Sequence, residues 1–467
     1  MNNFFGREQI FADVDEITSE NVLSVLDRTG NKHQKNKAQI KYLYNYYKGK
    51  QPILKRVKEV RPEICNRIVE NWANAIVSFK VGYICGSPIQ YVSGKSSADL
   101  TDEIDKLNDY MDMLGKFAVD KDLFEWQTIC GTSYRSIFSD KDDIAEINSL
   151  DPRNTYVIYS NDITRKPLAA VYITEKLEAA QTVEYQTIYT PTQIIVVKDK
   201  GITETSKNDL GFIPIIEYPA NNARLSAIEI VIDLLDAINE IDSNRLDGVA
   251  QFIQSLMVIY NAKLEDETGN SIREKGLVEL KSIGDNKADI KIISEQLNQD
   301  QTQTLKEDLI QRVREIVGLP SQGNGNTGDS SNNGAMILKG GWENAETRAR
   351  EAEVMFKRSE ITFLKDLFEI LATKNIVNLT VPDVDIRFTR RNYENIQIKS
   401  QVLTTMLNNE KIAPKLAFES CGMFIDPEEA YKESQEYEES RRTEQPNNGD
   451  ANENSNTAEE GSQRFTP

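Results

Sequence analysis

The chain has 467 residues, enough for roughly three units of ordinary size, and its 55 Lys and Arg against 74 Asp and Glu leave a net charge of −19. That balance has the wrong sign for a protein that grips nucleic acid by neutralising phosphates, so tight, non-specific DNA binding by the isolated chain is not expected. The single histidine, His33, lies in a polar stretch, which excludes His-based triads, HExxH sites and three-histidine metal sites. Cys65, Cys85, Cys130 and Cys421 stand too far apart for a metal knuckle or a redox loop and read as reduced thiols of an intracellular protein. The start of the chain does not read as a secretory leader, and no apolar run approaches the ~18 residues of a membrane span, so neither secretion nor membrane insertion is expected.

In chain order, residues 1–40 are polar, with one short helix expected over Ile17–Leu26. Tyr42, Tyr44, Tyr46 and Tyr47 cluster before Gly49-Lys-Gln-Pro52 closes the segment. Apolar Ile68, Trp72, Ile76 and Phe79, at helical spacing, predict a helix from about Ile64 to Val81 with one buried face. Gly82 to Pro88 breaks it, Ile89 to Val92 reads as a strand, and helix returns over 101–130. Between 131 and 218, short β-rich runs separated by Asp, Asn, Gly and Pro turns predict a modest antiparallel region: Ser133–Phe138, Ile144–Asn148, Tyr156–Tyr159, Ala169–Thr174, Thr182–Tyr189 and Gln193–Val197.

Ser226 with Glu229 three residues on reads as a capping box, opening a helix that can run to about Tyr260. At about 100° per residue, Glu229, Asp233, Asp236, Glu240 and Asp247 share an arc of about 60°, while Ile230, Leu234, Ile238 and Ile241 fall on the other side. An ordinary solvated face mixes acids with bases for i,i+4 pairing. This one is single-signed, with Arg245 as the helix's only base. Beyond it, Gly276–Ile283 and Ala288–Ile293 read as a hairpin, and Thr304–Val317 as a helix stopped by Gly318-Leu-Pro320. Ser321–Gly334, all Gly, Asn, Ser, Gln, Thr and Asp, reads as a mobile loop. A second long helix is expected from about Ala335 through Ala372, then a strand over Val381–Phe388, and short helices over Gln397–Glu433 around Pro414 and Pro427. The last ~25 residues are disordered by composition.

No motif assembles an active site. Gly323-Asn-Gly325-Asn-Thr-Gly328 matches the dinucleotide pattern letter for letter, but Pro320 precedes it and no βαβ unit surrounds it. Asp140-Lys-Asp-Asp143 reads as a turn between strands, and Asp383 and Asp385 share a strand face without a third acid or a histidine. No catalytic residue, cofactor or metal is therefore expected.

Ile64-Cys-Asn66-Arg-Ile-Val69, followed by Phe79-Lys80-Val-Gly82-Tyr83-Ile-Cys-Gly86-Ser-Pro88, resembles the N-terminal signature of SPP1-like portal proteins of tailed bacteriophages. Trp126 through Cys130-Gly131-Thr-Ser-Tyr134 is similar to that family's helix-to-strand step, Ser149-Leu-Asp151-Pro152 with Tyr156–Tyr159 to its next β segment, and Ser226 with Asp233, Asn239 and Ser243 to the start of its stem helix. A departure lies at Ala413, before Pro414, where the family often has Ser.

The resemblance covers most of residues 40–435 and implies an α+β, mainly helical fold with long stem and tunnel helices, a β-rich wing and a β-hairpin clip. The implied organisation is an N-terminal wing region over 1–225, a stem helix over 226–262, a clip over 263–300, a second stem helix over 301–319 and a tunnel loop over 320–335. A long helix and return wing strand over 336–397, crown helices over 398–440 and an acidic tail over 441–467 complete it. The function implied is a ring, expected to be a dodecamer, at one capsid vertex of the virion, assembled in the host cytoplasm. Double-stranded DNA would enter and leave through it with weak contacts, and the ring would dock the terminase large subunit, a head-tail adaptor, and the major capsid and scaffolding proteins.

In such a ring Glu229, Asp233, Asp236, Glu240 and Asp247 would line the channel and repel phosphates, and Ile230, Leu234, Ile238 and Ile241 would form the subunit contact. Gly323, Asn324, Gly325, Asn326, Gly328, Asn332, Asn333 and Gly334 would belong to the tunnel loop, whose lack of Lys and Arg implies weak contact with DNA. The other readings are a DNA-processing enzyme subunit of the packaging machinery, which would need clustered acids or histidines and a basic groove, and a capsid scaffolding protein, which would associate openly.

Overall fold

The computed structural model describes residues 6–59, 61–94, 100–139, 145–178, 181–253, 256–260, 262–263, 281–282, 289–293, 299–320, 341–374, 376–389, 396–424 and 427–444. They form two compact units, 1–393 and 394–467. Within the first, β1 (Ile10–Ala12) leads into α1 (Val22–Tyr47), followed by α2 (Trp72–Ile84), β2 (Gln90–Ser93), α3 (Thr101–Met113) and α4 (Lys116–Cys130). Strands β3 (Thr132–Ser139), β4 (Ala145–Leu150), β5 (Thr155–Ser160), β6 (Pro167–Glu178), β7 (Gln181–Tyr189), β8 (Gln193–Lys198), β9 (Gly201–Lys207) and β10 (Ile215–Pro219) come next. Then come α5 (Ile232–Ile253), β11 (Leu256–Tyr260), β12 (Ala262–Lys263), β13 (Lys281–Ser282), β14 (Asp289–Ile293), α6 (Gln299–Val317), α7 (Trp342–Thr373) and β15 (Val384–Arg387). The second unit holds α8 (Ile396–Leu407), α9 (Pro414–Cys421) and α10 (Pro427–Glu444). The fold is α+β.

Helix α1 is far longer than the sequence pattern suggests. Its buried stripe runs Val22, Val25, Thr29, His33, Asn36, Ile40, Leu43 and Tyr46, an unbroken three-and-four spacing in which the middle positions are polar. Two of these polar residues are satisfied by hydrogen bonds, the Thr29 hydroxyl donating to the Val25 carbonyl at 2.8 Å and Asn36 exchanging two with the backbone of Glu8, at 2.8 and 3.0 Å, while His33 stacks on Tyr156 at 4.2 Å. Helix α2, by contrast, begins at Trp72 rather than Ile64, so Ile68 is not part of its apolar face. Asn71 caps it, its side chain accepting from the Asn74 N–H at 3.4 Å, and residues 64–71 lie outside regular structure.

The β region divides into two sheets. A six-stranded sheet has the order β1-β5-β6-β7-β8-β9, with β1 parallel to β5 and the other pairs antiparallel. A three-stranded antiparallel sheet has the order β10-β3-β4. The six expected runs are β3 to β8; the sequence reading omitted β1, β9 and β10. Two tight approaches hold the segment after β10: Gly6, ahead of β1, and Gly131, between α4 and β3, have φ of +82° and +84°, and a Cβ on either would come within 2.0 Å of a carbonyl oxygen of Ala223 or Arg224. Only glycine fits there. The main core gathers α1, α2, α3, α4, β3 and the first turns of α5 around Phe356, Phe363, Leu364, Leu367 and Leu371 of α7. A second cluster joins β1 and the start of α1 to the six-stranded sheet through Ile158, Val171, Ile188 and Ile195.

Three boundaries depart from expectation. Helix α5 ends at Ile253, because Leu256–Tyr260, β-rich in composition, pairs antiparallel with Asp289–Ile293. The return strand 289–293 therefore pairs with 256–260, not with Gly276–Ile283; of that run only Lys281–Ser282 is described, paired with Ala262–Lys263. The expected strand over Val381–Phe388 begins as a 3-10 turn, Val381–Asp383, in which Asp383 and Thr380 form a capping box, and only Val384–Arg387 pairs with β2. Ser321–Gly334, which contains all eight tunnel-loop positions, lies outside the described residues, as do Asp140–Asp143 and the tail from residue 445.

In the second unit, proline opens both α9 and α10, where its missing N–H costs nothing. Ala413 stands at the N-cap of α9 without a side-chain bond to the helix. Phe418 stacks on Phe424 at 5.1 Å and meets Tyr431 at 5.7 Å, and Gly422 closes α9 in the left-handed region.

Candidate functional site

Helix α5 and its 3-10 lead-in, Glu229–Val231, carry the acidic stripe, and the structure splits it. Asp233 and Glu240 are exposed, and no described base pairs with either. Asp236 is half-buried and accepts the Tyr46 hydroxyl at 2.8 Å. Burial, with Asp233 nearby, pushes the Asp236 carboxyl up from the usual carboxylate range.

The other two are not channel-lining in this chain. Glu229 is 7% exposed and accepts from Arg7 at 2.8 Å and from the Gly6 N–H at 2.7 Å. It therefore serves no capping box; the Ser226 hydroxyl accepts from the Ile228 N–H at 2.9 Å and donates to the Thr128 carbonyl at 3.1 Å. Asp247 is 3% exposed, pairs with Arg56 and Lys58, each at 3.1 Å, and accepts both the backbone and side-chain N–H of Asn66 at 2.7 and 2.8 Å. Burial would raise its carboxyl, but the bonds from Asn66 and Lys58 outweigh that and hold it below the ordinary range. The apolar contact residues are also divided: Ile230 is 47% exposed, Leu234 and Ile241 are half-buried, and Ile238 is wholly buried in the chain's own core. Ile238 is thus no subunit contact.

Asp247 belongs to a polar ladder that sequence periodicity alone did not show. The Glu70, Ile68 and Asn66 N–H groups donate to Asn239 at 2.8 Å, Ser243 at 3.0 Å and Asp247 at 2.7 Å. Four helical residues rise about 6 Å and two extended residues about 6.6 Å, so side chains at i, i+4 and i+8 of a helix match alternate N–H groups of an antiparallel extended segment. Asn239 also donates to Gln51 at 2.5 Å, and Gln51 to Asn71 at 3.1 Å, so the ladder continues into the cap of α2. The signal was present as the co-occurrence of Asn66 with Asn239 and Ser243, whose partners lie some 170 residues away.

A second polar cluster lies beneath the sheets. Lys116, Asp120, Arg135 and Glu360 are each at most 3% exposed. Arg135 and Lys116 meet Glu360 at 2.8 and 3.0 Å, Lys116 meets Asp120 at 2.5 Å, Arg135 also meets Asp120, and the Tyr91 and Tyr218 hydroxyls donate to Glu360 at 2.5 and 2.8 Å. Two cations balance two carboxylates. Burial opposes ionisation of Glu360, yet Arg135 and Lys116 pull its carboxyl down to about 2. The cluster ties α4, β3, β10 and α7 together.

Burial pushes the Cys85 and Cys130 thiols up to about 12, leaving them protonated and inert. Asp383 is used by Thr380, and Asp385 by Arg387 at 2.9 Å. Among the described residues no three His, Cys, Asp or Glu side chains gather into a metal site, and no helix is long and apolar enough to cross a membrane.

A family model for phage portal proteins, SPP1 Gp6-like, matches residues 26–447. The chain belongs to that family. Portal proteins of this kind are structural components of a phage particle rather than enzymes. A chain from a solved structure titled "Neck of empty GTA particle computed with C6 symmetry" aligns at 11% identity over 76% of this chain and 90% of its own, with a TM-score of 0.44. No curated protein matches the sequence. The portal match spans the Asn66 segment, the ladder on α5 and the buried cluster alike.

Proposed function

We propose that the chain is the subunit of a closed ring at one capsid vertex, through which double-stranded DNA enters during packaging and leaves during ejection, and on which terminase and a head-tail adaptor dock. The observation that carries this reading is the portal-family match over residues 26–447. In it α5 and α6 are stem helices, the strands from 256 to 293 the clip, the six-stranded sheet part of the wing, and 320–335 the tunnel loop.

The acidic stripe keeps its proposed channel role in reduced form. Asp233 and Glu240, exposed and without a described base, would repel a passing polyanion, whereas an attractive contact would act as a trap. The net charge of −19 supports sliding rather than gripping. The test is packaged DNA length with Asp233→Lys and Glu240→Lys combined, ring integrity being checked by electron microscopy. Packaging should slow or stall at low salt and recover as salt is raised; unaltered packaging at low salt would remove these residues from the DNA path.

A further inference from the structure

A cleft of about 700 Å³ opens between the sheets and α7. Ile213, Ile215 and Met355 give it an apolar wall, Arg358 and Lys365 stand exposed at its lip, and Asp366 lines it. Asp366 is only 6% exposed, and among the described residues none gives it a hydrogen bond or ion pair. A buried carboxylate without a partner is costly, and burial together with Glu369 pushes this one up to about 7. Its chain neighbour Lys365 attracts it only through space, no described cation forms an ion pair with it, and the other buried acid of the cleft, Glu217, is already held by Arg224 at 2.7 Å. The cleft carries bases of its own, but none touches this carboxylate; a cation on an apolar stem, brought from outside, would supply the direct contact.

The same chain carries a matching projection. Among the described residues the three most exposed large apolar side chains are Ile163 at 99%, Val57 at 79% and Leu177 at 77%. The bases beside Val57, Arg56 and Lys58, are committed to Asp247, and Ile163 neighbours Arg165, which lines the cleft itself. Leu177 remains. It stands at the end of the β6–β7 hairpin in the sequence Glu175-Lys176-Leu177-Glu178, a base and an apolar residue flanked by acids. Tyr185 supports this end, its ring 4.8 Å from the Lys176 ammonium, and Glu178 pairs with Lys198 at 2.6 Å.

We propose that the cleft of one subunit receives the β6–β7 hairpin end of a second copy, Lys176 meeting Asp366 and Leu177 covering the apolar wall, while Glu175 faces Arg358 and Lys365. The complementarity is of charge in alternation and of apolar knob to apolar wall, a head-to-tail contact of the kind that closes rings. The inference rests on the ring reading above and assigns it one interface.

The experiment is native mass spectrometry of the full chain across a concentration series for wild type, Asp366→Asn, Lys176→Met, and the swapped pair Asp366→Lys with Lys176→Asp. Each single variant should raise the concentration needed for assembly about tenfold or more, and the swapped pair should recover much of the loss. Circular dichroism controls for folding, which Asp366→Asn should leave intact because it removes a buried charge. Wild-type rings that persist unchanged in either single variant would overturn the inference and leave the ring reading standing. Open filaments that need both residues would uphold the contact and sink the ring. A wild type that stays monomeric at every concentration would overturn the contact.

Discussion

Glu229 and Asp247 stand on one face of the α5 region beside Asp233 and Glu240, yet the first pair is buried among arginine, lysine and backbone N–H groups and the second is open to solvent. At about 100° per residue the two pairs differ by only about 20° to 40°, so the arc straddles the boundary between a covered sector and a solvent ridge. The covered sector holds Glu229, facing Gly6 and Arg7, and Asp236, Asn239, Ser243 and Asp247, facing α1 and residues 51–70; the ridge holds Ile230, Asp233, Glu240 and Asn244. Helical phase gives the direction of a side chain but not what lies in that direction. A single-signed face can therefore be half ion-paired interior and half free surface.

The contrast can be broken most sharply on its buried side. Glu229→Gln strands Arg7 in the interior and should cost about 3–5 kcal/mol, read as a fall in denaturation midpoint with the m-value unchanged. Glu360→Gln should cost a similar amount by leaving Arg135 and Lys116 short of one negative charge. Next comes acid. Both Glu360 and Asp247 have folded carboxyls held below their unfolded values, so their stabilisation is full above the unfolded pKa and is lost as pH falls. For Glu360 the loss runs from about pH 4.5 to about 2 and amounts to about 3 kcal/mol, measurable as a pH-dependent midpoint that flattens in Glu360→Gln. Asp236 has the opposite sign: its carboxyl is raised, so its contribution weakens as pH rises, and Asp236→Asn should lessen that dependence.

Ser243→Ala should cost about 1–3 kcal/mol by leaving the Ile68 N–H without its acceptor, and should speed hydrogen exchange at Ile68 before it does so elsewhere. The smallest effect belongs to the exposed pair: Asp233→Asn with Glu240→Gln should stay within about 0.5 kcal/mol of wild type. A large loss there would show that both carboxylates carry structure in the folded subunit.

Most long elements were legible because their patterning is strong: α4 ending at Gly131, the runs of β3 to β8, α6 stopping before Gly318, and most of α7. What escaped did so for identifiable reasons. Thr29, His33 and Asn36 occupy core positions of α1, so an apolar count stops short of the helix. The segment 64–71 shows helical spacing but is held extended by acceptors on a distant helix, a tertiary interaction that local period cannot report. Strand β1 is three residues long and pairs with β5, which lies almost 150 residues on in the chain. Ile238 pointed, by phase, to the apolar side as expected; the chain's own core, rather than a neighbour, covers it.

The central claim is that this chain builds a ring whose lumen meets the exposed carboxylates of α5 while the buried ones stay within their subunit. Electron cryo-microscopy of the assembled protein, at a resolution that shows side chains, tests it most directly. The account predicts a closed ring with Asp233 and Glu240 lining its central channel, and Glu229 and Asp247 paired with Arg7, Arg56 and Lys58 of their own chain. A ring in which Asp233 and Glu240 are covered by a neighbouring subunit, or an open assembly without a central channel, would contradict it.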